Sequence, residues 1–436
     1  MTGTSPAPFS AALEAASSAP SPKVLLALRE AGRKSFEKLR LPSRREEAWR
    51  FTRLKAIEGA AFEPPAVVPS RIDISPWKLA GSHLLTFIDG VLDAELSDVV
   101  DLPDGAVVSN LVLAAAAGSE LVQKHLGSLA PLDQHLFAAL NTAVFSDGAL
   151  IHLPAGVEIE RPIQLLFVSG SDGRATLAAP RILVVAGAGS RATVVESHVG
   201  AGGAALSCPV SEIVLEEDAV VDHVVVQEEG IDASQLAVRQ VQLAARSRYS
   251  AQTVSLGGAL ARTDIGVILD GEGAEASLDG FYLTDNEQQA DSHLTVRHKK
   301  PNCRSFQLYK GILAGSSRAV FNGRIVVDQD AQKTDARQSN RNLLLSDNAT
   351  VNSNPQLEIF ADDVRCTHGS TIGRLDEEAI FYLRSRGIGR EEARRLLTLA
   401  FAREILERIP VDALRQRLES ETVSRLSRIE RAEESV

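Results

Sequence analysis

Apolar residues recur at helical spacing near both ends of the chain and at strand spacing through the long stretch between. Val24, Leu25, Leu28, Ala31, Phe36 and Leu39 share one face of a 3.6-residue period, and Leu41-Pro42 closes the run. That predicts an early amphipathic helix. The charged segment 44–52 surrounds Trp49 and Phe51 and predicts a short helix or turn anchored by Trp49. Residues 84–96 read as strand, turn and strand about Asp89-Gly90, and 111–126 and 132–144 return to helical spacing. Residues 22–148 are therefore expected to form an N-terminal helical or mixed α/β domain.

From residue 149 to 373 the texture changes to short runs of β-branched and small residues punctuated by Gly, Asp and Asn. Turn positions Ser190, Ala219, Ser247 and Ala274 follow one another at 29, 28 and 27 residues, and later turns at Ser317, Ala331, Ala349 and Val364 at 14, 18 and 15. Strand-sized runs with such a period belong to coils that stack to bury their inward side chains. A parallel β-helix core is expected, since a sandwich of this size would be unusual as one domain.

After Gly373 the helical code returns. Asp376 reads as an N-cap ahead of the first-turn carboxylates Glu377 and Glu378, and Gly387 as a stop. Ala393, Leu396, Leu397, Ala400, Phe401 and Ile405 mark a second helix ended by Pro410, and Leu414, Leu418, Val423, Leu426 and Ile429 a third. Residues 374–436 are expected as a C-terminal helical domain. From Asp376 to Val436 there are 12 Arg, no Lys and 13 Asp+Glu, which suit a protein interface.

Composition narrows the function classes. The formal net charge of −11 over 436 residues argues against a chain built to coat nucleic acid or an anionic membrane. Three cysteines, Cys208, Cys303 and Cys366, fit a reducing compartment and no disulfide framework. Residues 1–21 are Ala/Ser/Pro-rich without Lys or Arg, and are expected to be a flexible tail rather than a signal or transit peptide. No apolar run reaches membrane-spanning length, so a cytoplasmic protein is expected.

Catalytic signatures of the GxxxxGK[ST], HExxH, CxxC and GxSxG types are missing. In 291–300 His293 and His298 fall on opposite faces of a strand and cannot ligate one ion. The polar run 331–340 is expected to form a ladder along the coils. The sharpest local feature is Cys366-Thr367-His368. In an extended segment Cys366 and His368 project to one side, where thiolate plus imidazole suit iron or zinc. Two ligands leave the coordination sphere incomplete, so others would come from elsewhere, another chain included.

The run Pro355-Gln356-Leu357-Glu358-Ile359-Phe360-Ala361-Asp362-Asp363-Val364-Arg365-Cys366-Thr367-His368-Gly369-Ser370-Thr371, with Leu375-Asp376-Glu377-Glu378 and Phe381-Tyr382-Leu383-Arg384-Ser385-Arg386-Gly387-Ile388, resembles the signature of the SufB/SufD family of iron–sulfur cluster assembly proteins. Residues 331–334 and 42–52 match it as well. Gly369 stands where the SufB branch carries a Glu after its motif histidine, so the pattern looks more like the SufD branch. The resemblance implies a right-handed parallel β-helix core and a C-terminal helical domain that docks the ATPase SufC. It also implies pairing with SufB through the β-helices. His368, with Cys366 as the weaker candidate, would then face a transient iron or iron–sulfur species shared with the partner. A homodimer through the same surface is left open. Phe381, Tyr382, Arg386, Leu397 and Phe401 are the candidate partner contacts. The expected role is a non-catalytic scaffold subunit. The alternatives are a polysaccharide-acting β-helix enzyme, which would need clustered carboxylates in an exposed cleft, and a purely structural solenoid.

Overall fold

A computed structural model of the chain describes residues 7–64, 72–169, 174–200 and 203–433. Its centre is a mainly β solenoid of about eight coils. Each coil gives one strand to each of two sheets. The first sheet runs from Val91–Asp98 and His83–Ile88 through Arg248–Ser255 and Arg304–Leu313 to Arg365–Gly373. The second runs from Val107–Asn110 through Ser234–Leu243 and Gln289–His298 to Thr350–Ile359. Within the coils neighbouring strands are parallel and in register, as in Gln307↔Gln338↔His368.

The period near 28 is set at one corner. Gly189, Asp218, Arg246, Gly273, Asn302 and Lys333 all take positive φ, between 55° and 69°. Each sends its N–H to a carbonyl of the next coil, from Gly189 N to Glu217 O up to Lys333 N to Asp363 O. The residue after each is small and buried: Ser190, Ala219, Ser247, Ala274, Cys303 and Thr334. Cys303 is thus a corner residue, its Sγ 3.2 Å from Gly271 O. The irregular later spacings arise because Ser317 and Ala349 precede strands of the second sheet, while Thr334 and Val364 precede strands of the first.

Inside the bore, two glycines make room for tyrosines. A Cβ on Gly280 would run into the ring of Tyr309, and one on Gly311 into the ring of Tyr282. The two rings therefore lean along the solenoid axis in opposite directions across neighbouring coils, and the Tyr282 hydroxyl reaches Asn342.

The sheets do not stop at the boundary expected near residue 149. Strand His83–Ile88 pairs in parallel with Glu158–Ser169, and Val107–Asn110 pairs antiparallel with Gly148–Leu153, so part of the N-terminal domain caps the first coils. The hairpin turns at Asp89 and Gly90, both at positive φ, the geometry that two-residue turns require. The expected flexible tail needs correction. Helix Ser10–Ser18 buries Ala12 and Leu13, and Phe9 packs 6.0 Å from the ring of Phe36 and 5.9 Å from that of Phe62. Alanine-rich composition favours helix, and apolar residues at its start supply the contact. Residues 1–6 of that tail lie outside the described residues.

The N-terminal helices cover the outer face of the second sheet, where Leu136–Val144 packs over Leu206, Cys208, Leu236 and Leu260. Three C-terminal helices, Glu377–Ser385, Arg390–Leu406 and Asp412–Glu433, follow the last coil. Ala402, Ile405, Leu406, Leu414 and Leu418 meet Val224, Val254 and Phe281 on the outer face of the first sheet. The buried stripe of the middle helix is Ala393, Thr398, Ala402, Ile405 and Leu406. It leaves Leu396, expected on that stripe, 41% exposed.

Candidate functional site

The predicted ligand pair, Cys366 and His368, lies on the last strand of the solenoid. Strands Thr350–Ile359 and Arg365–Gly373 end their respective sheets, and among the described residues no further strand pairs with either. Pro355 sits inside the first of them; a proline within a strand marks an edge, because it withholds a ladder donor. The second strand is exposed along almost its whole length. Ile359, Phe360 and Ile372 stand exposed at this end.

His368 is exposed on that last strand, in register with Gln338, whose Nε2 donates to Gln307 Oε1 at 2.8 Å. Gln338 and Gln307 form part of the expected polar ladder, which continues as Asn342 Nδ2 donating to Asn340 Oδ1 at 2.8 Å. His368, Thr367 and Gly369 line a cleft of about 550 Å3 with Gln338, Asp279 and Arg408. Burial raises the Asp279 carboxyl above the usual carboxylate range, opposed by Arg408 at 2.9 Å.

Cys366 lies two residues before His368, in register with Ala336, and packs against a cluster that includes Ile325, Val327 and Ala361. Burial raises its thiol further above neutrality, which disfavours the thiolate that would bind metal. Among the described residues no group of three His, Cys, Asp or Glu side chains is placed to hold a metal. Cys208 and Cys303 are fully buried, and His298 points into the bore while His293 faces outward to Asp291.

The candidate partner contacts divide into two groups. Phe381 and Tyr382 are 71% and 57% exposed, and the Arg386 guanidinium lies 5.3 Å from the Tyr382 ring. Leu397 and Phe401 are half-buried, and Phe401 faces the solenoid, with Lys310 Nζ 3.9 Å from its ring. Lys310 also pairs with Glu404 at 2.7 Å, so Phe401 holds the helices to the coils.

Two buried constellations escaped the sequence reading. The first fastens segment 44–52 to the second sheet. The Arg262 guanidinium lies 3.6 Å from the Trp49 ring and pairs with Asp264 at 2.8 Å and Asp291 at 3.1 Å, while Thr52 also bonds Asp291. Desolvation raises both carboxyls, but Arg262 and the neighbouring histidines win and hold Asp264 well below the usual range. The second lies in the bore, where Glu196 Oε1 is 2.7 Å from His198 Nε2 and Oε2 is 3.2 Å from His223 Nε2. Against full desolvation, these hydrogen bonds keep the Glu196 carboxylate ionised well below its usual range. Glu196 with His198 and Arg262 with Asp264 are two positions apart on one strand, but only the coil register adds His223 and Asp291 to them.

The chain matches a family model described as "SUF system FeS cluster assembly, SufBD core domain" over residues 167–401, and a second, "SufBD protein N-terminal region", over 78–165. It is 35% identical to an iron-sulfur cluster assembly SufBD family protein of Synechocystis sp., covering 87% of this chain and 86% of that one. It is 34% identical to "Protein ABCI7, chloroplastic" of Arabidopsis thaliana, over 85% and 79% of the two chains. It is 30% identical to the iron-sulfur cluster assembly protein SufD of Escherichia coli, over 87% and 88%.

Proposed function

The chain belongs to the SufBD family of iron–sulfur cluster assembly proteins, and from that premise we propose that it is a SufD-like, non-catalytic scaffold subunit. It pairs with a SufB-type subunit through the open end of its solenoid and with a SufC-type ATPase through its C-terminal helices. The observation that carries this reading is the pair of terminal strands, each paired on one side, which together with Phe360 expose an imidazole and three large apolar side chains. Such edges invite another chain.

In this reading iron or a nascent iron–sulfur cluster is the cargo. His368 offers it one ligand, and the partner supplies the rest, which accounts for a site that this chain leaves incomplete. Cys366 contributes mainly packing. Movement of the C-terminal helices reaches the site through Arg408, whose partner Asp279 lines the same cleft as His368.

Co-expression with SufB- and SufC-type subunits followed by affinity purification tests the arrangement. Phe360→Asp combined with Ile372→Asp is expected to lose the SufB-type partner and keep the ATPase. Phe381→Asp combined with Tyr382→Asp is expected to do the reverse. Retention of both partners by both variants would refute the assigned surfaces.

A further inference from the structure

Arg239 lies inside the bore with donors that nothing in the fold uses. On the second sheet it stands between Ser211 and Ile265, it is 2% exposed, and its Nε and Nη1 meet no acceptor. Among the described residues no carboxylate lies within ion-pair distance of it. Glu196, one coil earlier, is already engaged by His198, His223 and Ser211. A guanidinium taken out of water with two idle N–H groups is uncompensated unless something else accepts from it.

The polar groups around it are uncharged hydroxyls, one of which, on Tyr249, hydrogen-bonds the guanidinium. The hydroxyls of Tyr249 and Tyr309 lie close enough to feel the Arg239 charge. Burial raises both above their ordinary value, so they keep their protons. Tyr309 leans across Gly280 to the hydroxyl of Thr253, in the same column. A water molecule there would accept from the guanidinium but leave its charge without a counter-ion, whereas a halide supplies both.

We propose that the bore at Arg239 binds one small monovalent anion of chloride or bromide size, held by Arg239 Nε and Nη1 and capped by the hydroxyls of Tyr309 and Thr253. Crystals of the full chain grown with sodium bromide as the only halide test this directly. An anomalous bromide peak within hydrogen-bond distance of Arg239 Nε is expected. Density there without anomalous signal is water and overturns the proposal.

In solution at constant ionic strength, exchanging gluconate for bromide is expected to raise the thermal midpoint of the wild-type chain along a saturating curve. Arg239→Met keeps similar volume without the charge and is expected to show only the non-saturating salt effect. A saturating rise that persists in the variant counts against the site. Should Arg239→Met fail to fold, the anomalous measurement on the wild-type chain decides alone.

Discussion

His298 illustrates how fully the coils withdraw single side chains from water. It is completely buried, with Nε2 2.9 Å from Ser305 Oγ, and burial pushes its pKa down to about 4. The unfolded chain takes up that proton near pH ~6.5, so the unfolded state binds more protons between those values. Stability is therefore lost as pH falls from about 6.5 toward 4. His298→Gln is expected to make the denaturant midpoint less steep over that interval, and an unchanged slope would exclude His298 as its source. Glycines separate packing from exposure in the same way. Gly280→Ala must displace the Tyr309 ring and is expected to cost about 1–3 kcal/mol in urea unfolding. Gly369→Ala meets nothing within 4 Å and is expected to stay within about 0.5 kcal/mol of wild type.

At the scale of elements, the sequence revealed what repeats locally and hid what depends on register. Ser190, Ala219, Ser247 and Ala274 could be read as one corner column because each follows a turn and each is small. The Asp376 cap is legible for the same reason; its carboxylate accepts from Glu378 N. Segment 44–52 could be read only as anchored by Trp49, because its partner Arg262 lies 213 positions later and nothing local marks the pairing. Helix Ser10–Ser18 was missed because a weakly apolar Ala/Ser segment owes its order to packing on Phe36 and Phe62. Pro355 was the available signal for the open edge. The Arg262 latch makes a quantitative prediction. Arg262→Ala leaves Asp291 buried with only His293 and Thr52 as partners, and removing one partner of such a pair is expected to cost about 3–5 kcal/mol. Equilibrium urea unfolding checks this; a loss under about 1 kcal/mol would mean that Trp49 packing alone holds the segment.

For the molecule as a whole, the architecture separates a closed end from an open one. N-terminal strands in antiparallel pairing cap the first coils, helices sheathe the outer faces of both sheets, and the last coil ends in two parallel edge strands. Ion pairs fix the C-terminal helices along the first sheet: Lys310 with Glu404, Arg408 with Asp279 and Arg417 with Glu228. The helices therefore sit beside the open end rather than over it, and the candidate ligand and the candidate docking surface occupy neighbouring parts of one rigid frame. His368 is the residue on which the account depends. Its side chain is exposed, so His368→Ala is expected to leave folding and partner assembly intact. In the anaerobically purified complex with SufB- and SufC-type subunits, the decisive quantity is iron and acid-labile sulfide bound per complex. A loss of at least about tenfold for His368→Ala, with subunit stoichiometry unchanged, is predicted, on the scale of metal-site perturbations. Wild-type cluster content in that variant would contradict the assignment.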